Sequence, residues 1–227
     1  MSFTRTRDRA AGASPMMDVT PIVFVVDDDI SVRESLELLI RSAGWRSETF
    51  VSAKEFLARP RISVPSCLVL DISLPGLNGL DLQKRIASER TDMPIIFITG
   101  HGNVPQSVQA MKAGAVEFLT KPFNGEVLLT AVRHALERSQ SALGEELEMQ
   151  KLLKLYESLT PREREVMTLV ASGMLNKQVG YDLGISEITV KAHRGQVMRK
   201  MEADSIAALI KMDAKLRGAR ALATKSA

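Results

Sequence analysis

Between Pro21 and Arg138, short apolar runs alternate with stretches whose apolar residues recur every three or four positions. The runs IVFVV (22–26), CLVL (67–70) and IIFI (95–98) are unbroken, and VEFL (116–119) is interrupted only by Glu117. Unbroken runs suit strands covered on both faces; a half-exposed strand would alternate. RSETF (46–50) is a weaker fifth candidate. The stretches between them predict helices. Val32, Leu36, Leu39 and Ile40 share one stripe, opened by a Ser31/Glu34 capping box and ended by Gly44. Ser52 and Glu55 form a second capping box. Leu80, Leu82, Ile86 and Ala87 line a third helix, and Val104, Val108 and Met111 a fourth. Val127, Leu128, Ala131, Val132 and Ala135 line a fifth. Strand-then-helix units repeated in this way predict an α/β domain: a doubly wound, five-stranded parallel sheet with right-handed crossovers.

After Arg138 the pattern changes. Residues 139–157 have helix-forming composition and read as a helical linker, with continuity into the fifth helix left open. Leu136 and Leu143 are one heptad apart, but Gln150 breaks the series, so a coiled coil stays an open alternative. From Leu159 onward there is no strand signal. TPRE (160–163) supplies an N-cap threonine, a first-turn proline and a closing glutamate for a helix that runs to Gly173. NKQVGYDLG (176–184) is a short second helix ending in glycine, and EITVKAHRGQVMRKM (187–201) a basic third. Asp204 or Ser205 caps a fourth that reaches about Arg217, with a frayed tail from about 218. Helices joined by a glycine turn, the last of the pair basic, predict an all-α helix-turn-helix domain. The organisation expected is a disordered tail (1–19), an α/β domain (20–138), the linker (139–157) and the helical domain (158–227).

Composition narrows the class. In 227 residues, 45% hydrophobic and 25% charged, no apolar run approaches the ~20 residues of a membrane span. The N-terminus has no apolar segment of a secretory signal, and the single cysteine, Cys67, excludes a disulfide framework. Both point to a reducing cytoplasm, with Cys67 a small buried thiol. Charge separates the two domains. Residues 20–138 carry 13 Lys+Arg against 14 Asp+Glu, whereas residues 158–227 carry 12 against 7. A basic helical domain suits a polyanion.

In open parallel sheets ligands bind at the carboxyl ends of the strands. Asp27 and Asp28 follow the first strand there, Asp71 the third, Thr99 the fourth and Lys121 the fifth. Massed carboxylates repel one another unless a cation neutralises them, and a few hard oxygen ligands suit Mg²⁺. A carboxylate beside such a metal, faced by a hydroxyl and a lysine, makes a cradle for a phosphoryl group and a nucleophile to accept it. Asp29 reads as a cap or a solvated acid, His101 and Trp45 as structural residues, and RTRDR near the N-terminus as solvated tail. On the third helix of the C-terminal domain, Val190, Val197 and Met201 face inward. Thr189, Lys191, Arg194 and Gln196 lie off that stripe, Lys191 and Arg194 for phosphates or guanine edges and Thr189 for phosphate. Arg199 and Lys200, farther along, suit the DNA backbone.

VVDDD, LVLDISLPGLNGLDL and PIIFITGHGNVPQSVQAMKAGAVEFLTKPF resemble the receiver domain of bacterial two-component response regulators. The resemblance implies a flavodoxin-like sheet of strand order 2-1-3-4-5. It implies Asp71 as phosphoacceptor, with Mg²⁺ held by Asp28, Asp71, the Ser73 backbone carbonyl and, through water, Asp27. Thr99 and Lys121 would contact the phosphoryl group, Thr99 and Phe118 would form the switch, and the Lys121–Pro122 bond would be cis. LTPREREVMTLVASGMLNKQVGYDLGISEITVKAHRGQVMRKM resembles the LuxR-type helix-turn-helix of FixJ-like and NodW-like regulators. There His193 matches a position near DNA. Ala192, Gly195 and Gly180 depart from the usual choices, and each helix glycine should cost up to about 1 kcal/mol relative to alanine. The implied function is a phosphorylation-activated transcriptional regulator rather than an enzyme, with slow autodephosphorylation. Its implied partners are a sensor histidine kinase, double-stranded DNA, a second copy of the chain on phosphorylation, and RNA polymerase. An aspartyl phosphatase is disfavoured, because Ser73 stands where such an enzyme often has its acid. A passive dimerising receiver is disfavoured by the complete acidic, hydroxyl and lysine set.

Overall fold

The computed structural model describes residues 20–90, 92–100 and 104–225, without the side chains of 87–89 and 221–225. The expected N-terminal tail and His101 lie outside the described residues. The chain divides into two compact units, residues 1–143 and 144–227.

The first unit carries β1 (Ile22–Val26), α1 (Ile30–Ser42), β2 (Arg46–Phe50), α2 (Ala53–Ala58), β3 (Ser66–Asp71), α3 (Gly79–Glu89), β4 (Ile95–Thr99), α4 (Val104–Lys112), β5 (Glu117–Thr120) and the start of α5 (Gly125–Glu157). The strands form one parallel sheet of order β2-β1-β3-β4-β5. The reason the central runs are unbroken is visible in β1. Ile22, Phe24 and Val26 enter one core with Phe56 of α2, Leu82 and Ile86 of α3 and Ala110 of α4. Val23 and Val25 enter the other with Leu36 and Ile40 of α1 and Leu128, Val132 and Ala135 of α5. Both faces of β1 are therefore apolar and buried. Cys67 is fully buried, and burial pushes its thiol pKa up. Trp45 is half-buried against the second core.

Several local expectations change. The N-cap of α1 is Asp29, whose carboxylate accepts from Ser31 N–H at 2.8 Å; Ser31 lies inside the helix, and no Ser31/Glu34 box forms. Ser52 caps α2 as expected, but Glu55 reaches back to the N–H of Val51 rather than to that of the cap. On α4 the residue facing the core is Ala110, while Val104, Val108 and Met111 are exposed, as is Val127 on α5. The helix period was right; its apolar stripe faces outward.

The segment read as a helical linker is continuous with the fifth helix, the two forming α5, one helix of 33 residues. Where α5 passes the sheet, Ser139 is buried and its hydroxyl accepts from the N–H of Ser66 at 3.0 Å. Leu136 packs into the second core rather than offering a coiled-coil seam.

The second unit carries the remainder of α5, then α6 (Pro161–Ala171), α7 (Asn176–Leu183), α8 (Glu187–Lys200) and α9 (Ile206–Lys225). Thr160 and Glu163 form the expected capping box. Ser205 caps α9, accepting from Ala208 N–H at 3.1 Å. The helix continues past Arg217 to Lys225, because one interior glycine, Gly218, weakens a helix without ending it. Val166, Val179, Val190, Val197, Met201 and Leu209 form its core.

Candidate functional site

The carboxyl ends of the strands bring the chemistry together. Asp27 follows β1 directly and is fully buried, Asp28 is exposed beside it, and Asp71 is the last residue of β3. Their carboxylate oxygens lie within 4.8 Å of one another. Lys121, just past β5, places Nζ 2.6 Å from Asp27 Oδ2 and 3.0 Å from Asp71 Oδ2. The N–H of Ser73 donates to Asp71 Oδ1 at 3.0 Å. Asp71 is thus held at both oxygens, and each oxygen keeps a further lone pair.

The three consecutive aspartates divide the work. Asp27 takes the lysine, Asp28 faces outward, and Asp29 caps α1. Arg33, one turn into α1, donates to the carbonyls of Asp27 and Asp28 at 2.7 and 3.0 Å. Burial pushes the Asp27 carboxyl above its ordinary value and the Asp71 charge adds to this, against the opposing pull of Lys121 and of the Asp29 N–H. Burial alone would lower Lys121, but its hydrogen bonds to Asp27 and Asp71 and their charges outweigh it and raise the ammonium above the usual lysine value. The lysine stays charged where a phosphoryl group would arrive.

Thr99 ends β4 and is fully buried; its carbonyl accepts from Lys121 N–H at 2.7 Å. The Lys121–Pro122 bond is cis. Phe118, on β5, is half-buried with its ring centroid 6.4 Å from that of Phe97. Gly79 opens α3 against the site. A Cβ there would lie 2.7 Å from the Asp71 carbonyl and 2.9 Å from Ile72 Cα, so this position admits no side chain. Asp27, Asp28, Asp71 and Lys121 therefore form one cluster, and Ser73 joins it through its N–H.

In the C-terminal unit, α7 and α8 meet at Gly184, which adopts a positive φ of 65°. Gly180 is required by this turn: its carbonyl accepts from Ile185 N–H at 2.9 Å, and a Cβ would meet the Ile185 carbonyl at 2.8 Å. This corrects the reading of Gly180 as a mere weakness in the helix. Ser186 caps α8. Val190, Val197 and Met201 are buried as expected. Lys191, Gln196 and Arg199 are exposed, and Thr189, His193 and Arg194 are half-buried. Arg194 donates to Asn176 Oδ1 at 3.2 Å, and Lys191 pairs with Glu187 at 3.0 Å. Lys200 does not reach outward. It pairs with the buried Glu163 at 2.6 Å and donates to the Ser158 carbonyl.

A family model for the response regulator receiver domain matches residues 23–133, and one for bacterial regulatory proteins of the luxR family matches 157–213. Nodulation protein W of Bradyrhizobium diazoefficiens is 51% identical over 204 residues, 90% of each chain. The chain belongs to the two-component response regulators with a LuxR-type DNA-binding domain. The response regulator protein TodT of Pseudomonas putida (strain F1) is 43% identical over 206 residues, 91% of each chain. The solved response regulator StyR superposes with a TM-score of 0.78 at 45% identity, spanning 87% of this chain and 100% of that one. A response regulator of this build is a phosphorylation-dependent regulator of transcription, with a kinase as partner of the receiver and DNA as partner of the C-terminal domain. Among the described residues no helix is long and apolar enough to cross a membrane.

Reasoning from sequence missed two features of α8. Residues spaced i, i+4, i+7 and i+11 share a helix face, and the face opposite the buried stripe is Ile188, Ala192, Gly195 and Arg199. Ile188 is 79% exposed. Counting from Val190 would have found that face; the search for charges passed over it. The engagement of Lys200 depends on Glu163, a helix away, and has no signal within α8.

Proposed function

We propose that Asp71 is the phosphoacceptor of this response regulator. The observation that carries the reading is the convergence of Asp27, Asp28, Asp71 and Lys121 at one rim, with Lys121 Nζ bridging two carboxylates. An Asp71 oxygen attacks the phosphorus of a phosphohistidine on a sensor histidine kinase. The O–P bond forms, the P–N bond breaks, and the histidine nitrogen leaves with the electron pair. Lys121 pairs with charge on the transferred group, and the Ser73 N–H holds the plane of the carboxylate. The Thr99 hydroxyl then meets the phosphoryl oxygens, and Phe118 turns further inward behind it.

The donors are all hard oxygens, which fits Mg²⁺: Asp28 and Asp71 would bind directly, Ser73 through its carbonyl and Asp27 through water. When bound, the ion neutralises the crowded carboxylates and the incoming phosphoryl charge. Slow autodephosphorylation returns the resting state.

The exposed apolar residues Val104, Val108 and Met111 on α4 and Val127 on α5 support dimerisation through the receiver once Asp71 is phosphorylated. The dimer binds promoter DNA in the cytoplasm and works with RNA polymerase. On α8, Lys191, Gln196 and Arg199 face the duplex, while Thr189, His193 and Arg194 meet phosphates at its edge. Treatment with acetyl phosphate and Mg²⁺ should add the mass of one phosphoryl group, and Asp71→Asn should abolish the addition. Label that persists in the variant would place the acceptor elsewhere.

A further inference from the structure

The outer line of α8 is chemically odd for a surface that meets DNA. Ile188, Ala192 and Gly195 offer no side-chain donor or acceptor, so they cannot read a base edge by hydrogen bonding. Ile188 is 79% exposed, Ala192 is exposed, and an added Cβ at Gly195 meets nothing within 4 Å. Lys191 and Gln196 flank this line and Arg199 ends it, all of them exposed. The domain around it carries 12 Lys+Arg against 7 Asp+Glu. A charged rim around an apolar centre complements a polyanion that has an apolar feature of its own. In the major groove that feature is the 5-methyl group of thymine, which an alkyl side chain reads by contact.

We infer that Ile188 and Ala192 read thymine methyl groups in the operator, and that Gly195 lets the helix backbone approach the base edges closely. The inference rests on the assignment of α8 as the helix that enters the groove. Lys191 and Arg199 then anchor phosphates or guanines on either side, and thymine selectivity comes from the uncharged line between them. Gly195 carries a second consequence. Alanine there fits the free protein without a clash and is a better helix former, yet its methyl group would stand between helix and DNA.

The test starts from duplexes selected out of a random pool by the full-length chain treated with acetyl phosphate and Mg²⁺. Each thymine of the selected site is replaced by uracil, which removes only the methyl group. Binding should weaken about fourfold at one or two thymines per half-site, the worth of one methyl group withdrawn from water. In Ile188→Ala the penalty at one of them should vanish. Gly195→Ala should raise the unfolding midpoint and weaken binding to the selected duplex about tenfold. Uracil tolerated at every position overturns the inference, as does an unchanged penalty in Ile188→Ala or undiminished binding by Gly195→Ala. An Ile188→Ala variant that changes only the association state of the free chain would make the line a protein contact and overturn it too. Selection that yields no preferred sequence removes the underlying assignment of α8, a failure distinct from uracil tolerance at a site that is specifically bound.

Discussion

The rim of the receiver and the outer face of α8 build their chemistry in opposite ways. The rim draws Asp27, Asp71, Thr99 and Lys121 from four strand ends, all but the lysine buried and all brought together only by strand order. The face of α8 comes from one stretch of 14 residues and is exposed. A convergent site is rigid because its members are held by the sheet, and a single carboxylate–lysine contact bridges 94 positions of sequence. A helical face is set by one parameter, its rotation about the helix axis, and every side chain off the outer line is free to serve the fold. Lys200 does so, turned onto Glu163 and the Ser158 carbonyl. Basic composition therefore overstates the charge that α8 presents, whereas almost every polar group at the rim is committed to the rim.

Crowding the rim should break the first half of this comparison most severely. Gly79→Ala sets a Cβ against the Asp71 carbonyl and Ile72 Cα, both backbone. It should cost about 1–3 kcal/mol of receiver stability, read by denaturant unfolding, and should slow acetyl phosphate labelling. Unchanged labelling would mean that the rim tolerates displacement of β3.

A smaller effect belongs to the helical domain. Glu163→Gln keeps the shape but removes the charge that Lys200 faces, and should cost about 1–2 kcal/mol. The pH dependence sharpens this. Burial pushes Glu163 up, but Lys200 and the N–H and hydroxyl of Thr160 outweigh burial and hold it below the ordinary glutamate value of 4.5. The unfolded chain binds that proton more tightly, so the stabilisation is complete above about pH 4.5 and is lost as pH falls through the lower folded value. Hydrogen exchange at the amides of α6 should accelerate over that window in the wild type, and this added acceleration should be absent from Glu163→Gln.

The smallest change tests whether exposed and committed cations differ as claimed. Lys191→Ala should lower the salt slope of DNA binding by about one, with little effect on folding, since its pair with Glu187 is exposed. A slope unchanged in Lys191→Ala would remove Lys191 from the phosphate contacts.

Much of the receiver was legible because its signals are local and redundant. Every strand but β2 is a largely apolar run leading to a chemically distinct residue, and parallel topology leaves only one rim for those residues to share. The phase of a helix was less legible. The stripe on α4 has the right period, yet the core takes Ala110 and leaves Val104, Val108 and Met111 outside, because period does not say which of two apolar surfaces the sheet will claim. One expected cap was displaced, by two positions, where an acid competes with serine: Asp29 caps α1 instead of Ser31. Gly180 and Gly195 look alike in sequence; only the path of the chain at Ile185 separates a glycine the turn requires from one that nothing in the free protein requires.

The Asp29 N–H donates to the Asp27 carboxylate and Arg33 to the carbonyls of Asp27 and Asp28, which makes the opening turn of α1 a jig for these two acids. Loosening of that turn would swing both carboxylates out of register even with the sheet intact. Slow amide exchange at Arg33, whose N–H is held by the Asp29 carbonyl, is thus a gauge of readiness for phosphorylation that can be read before any phosphate is added.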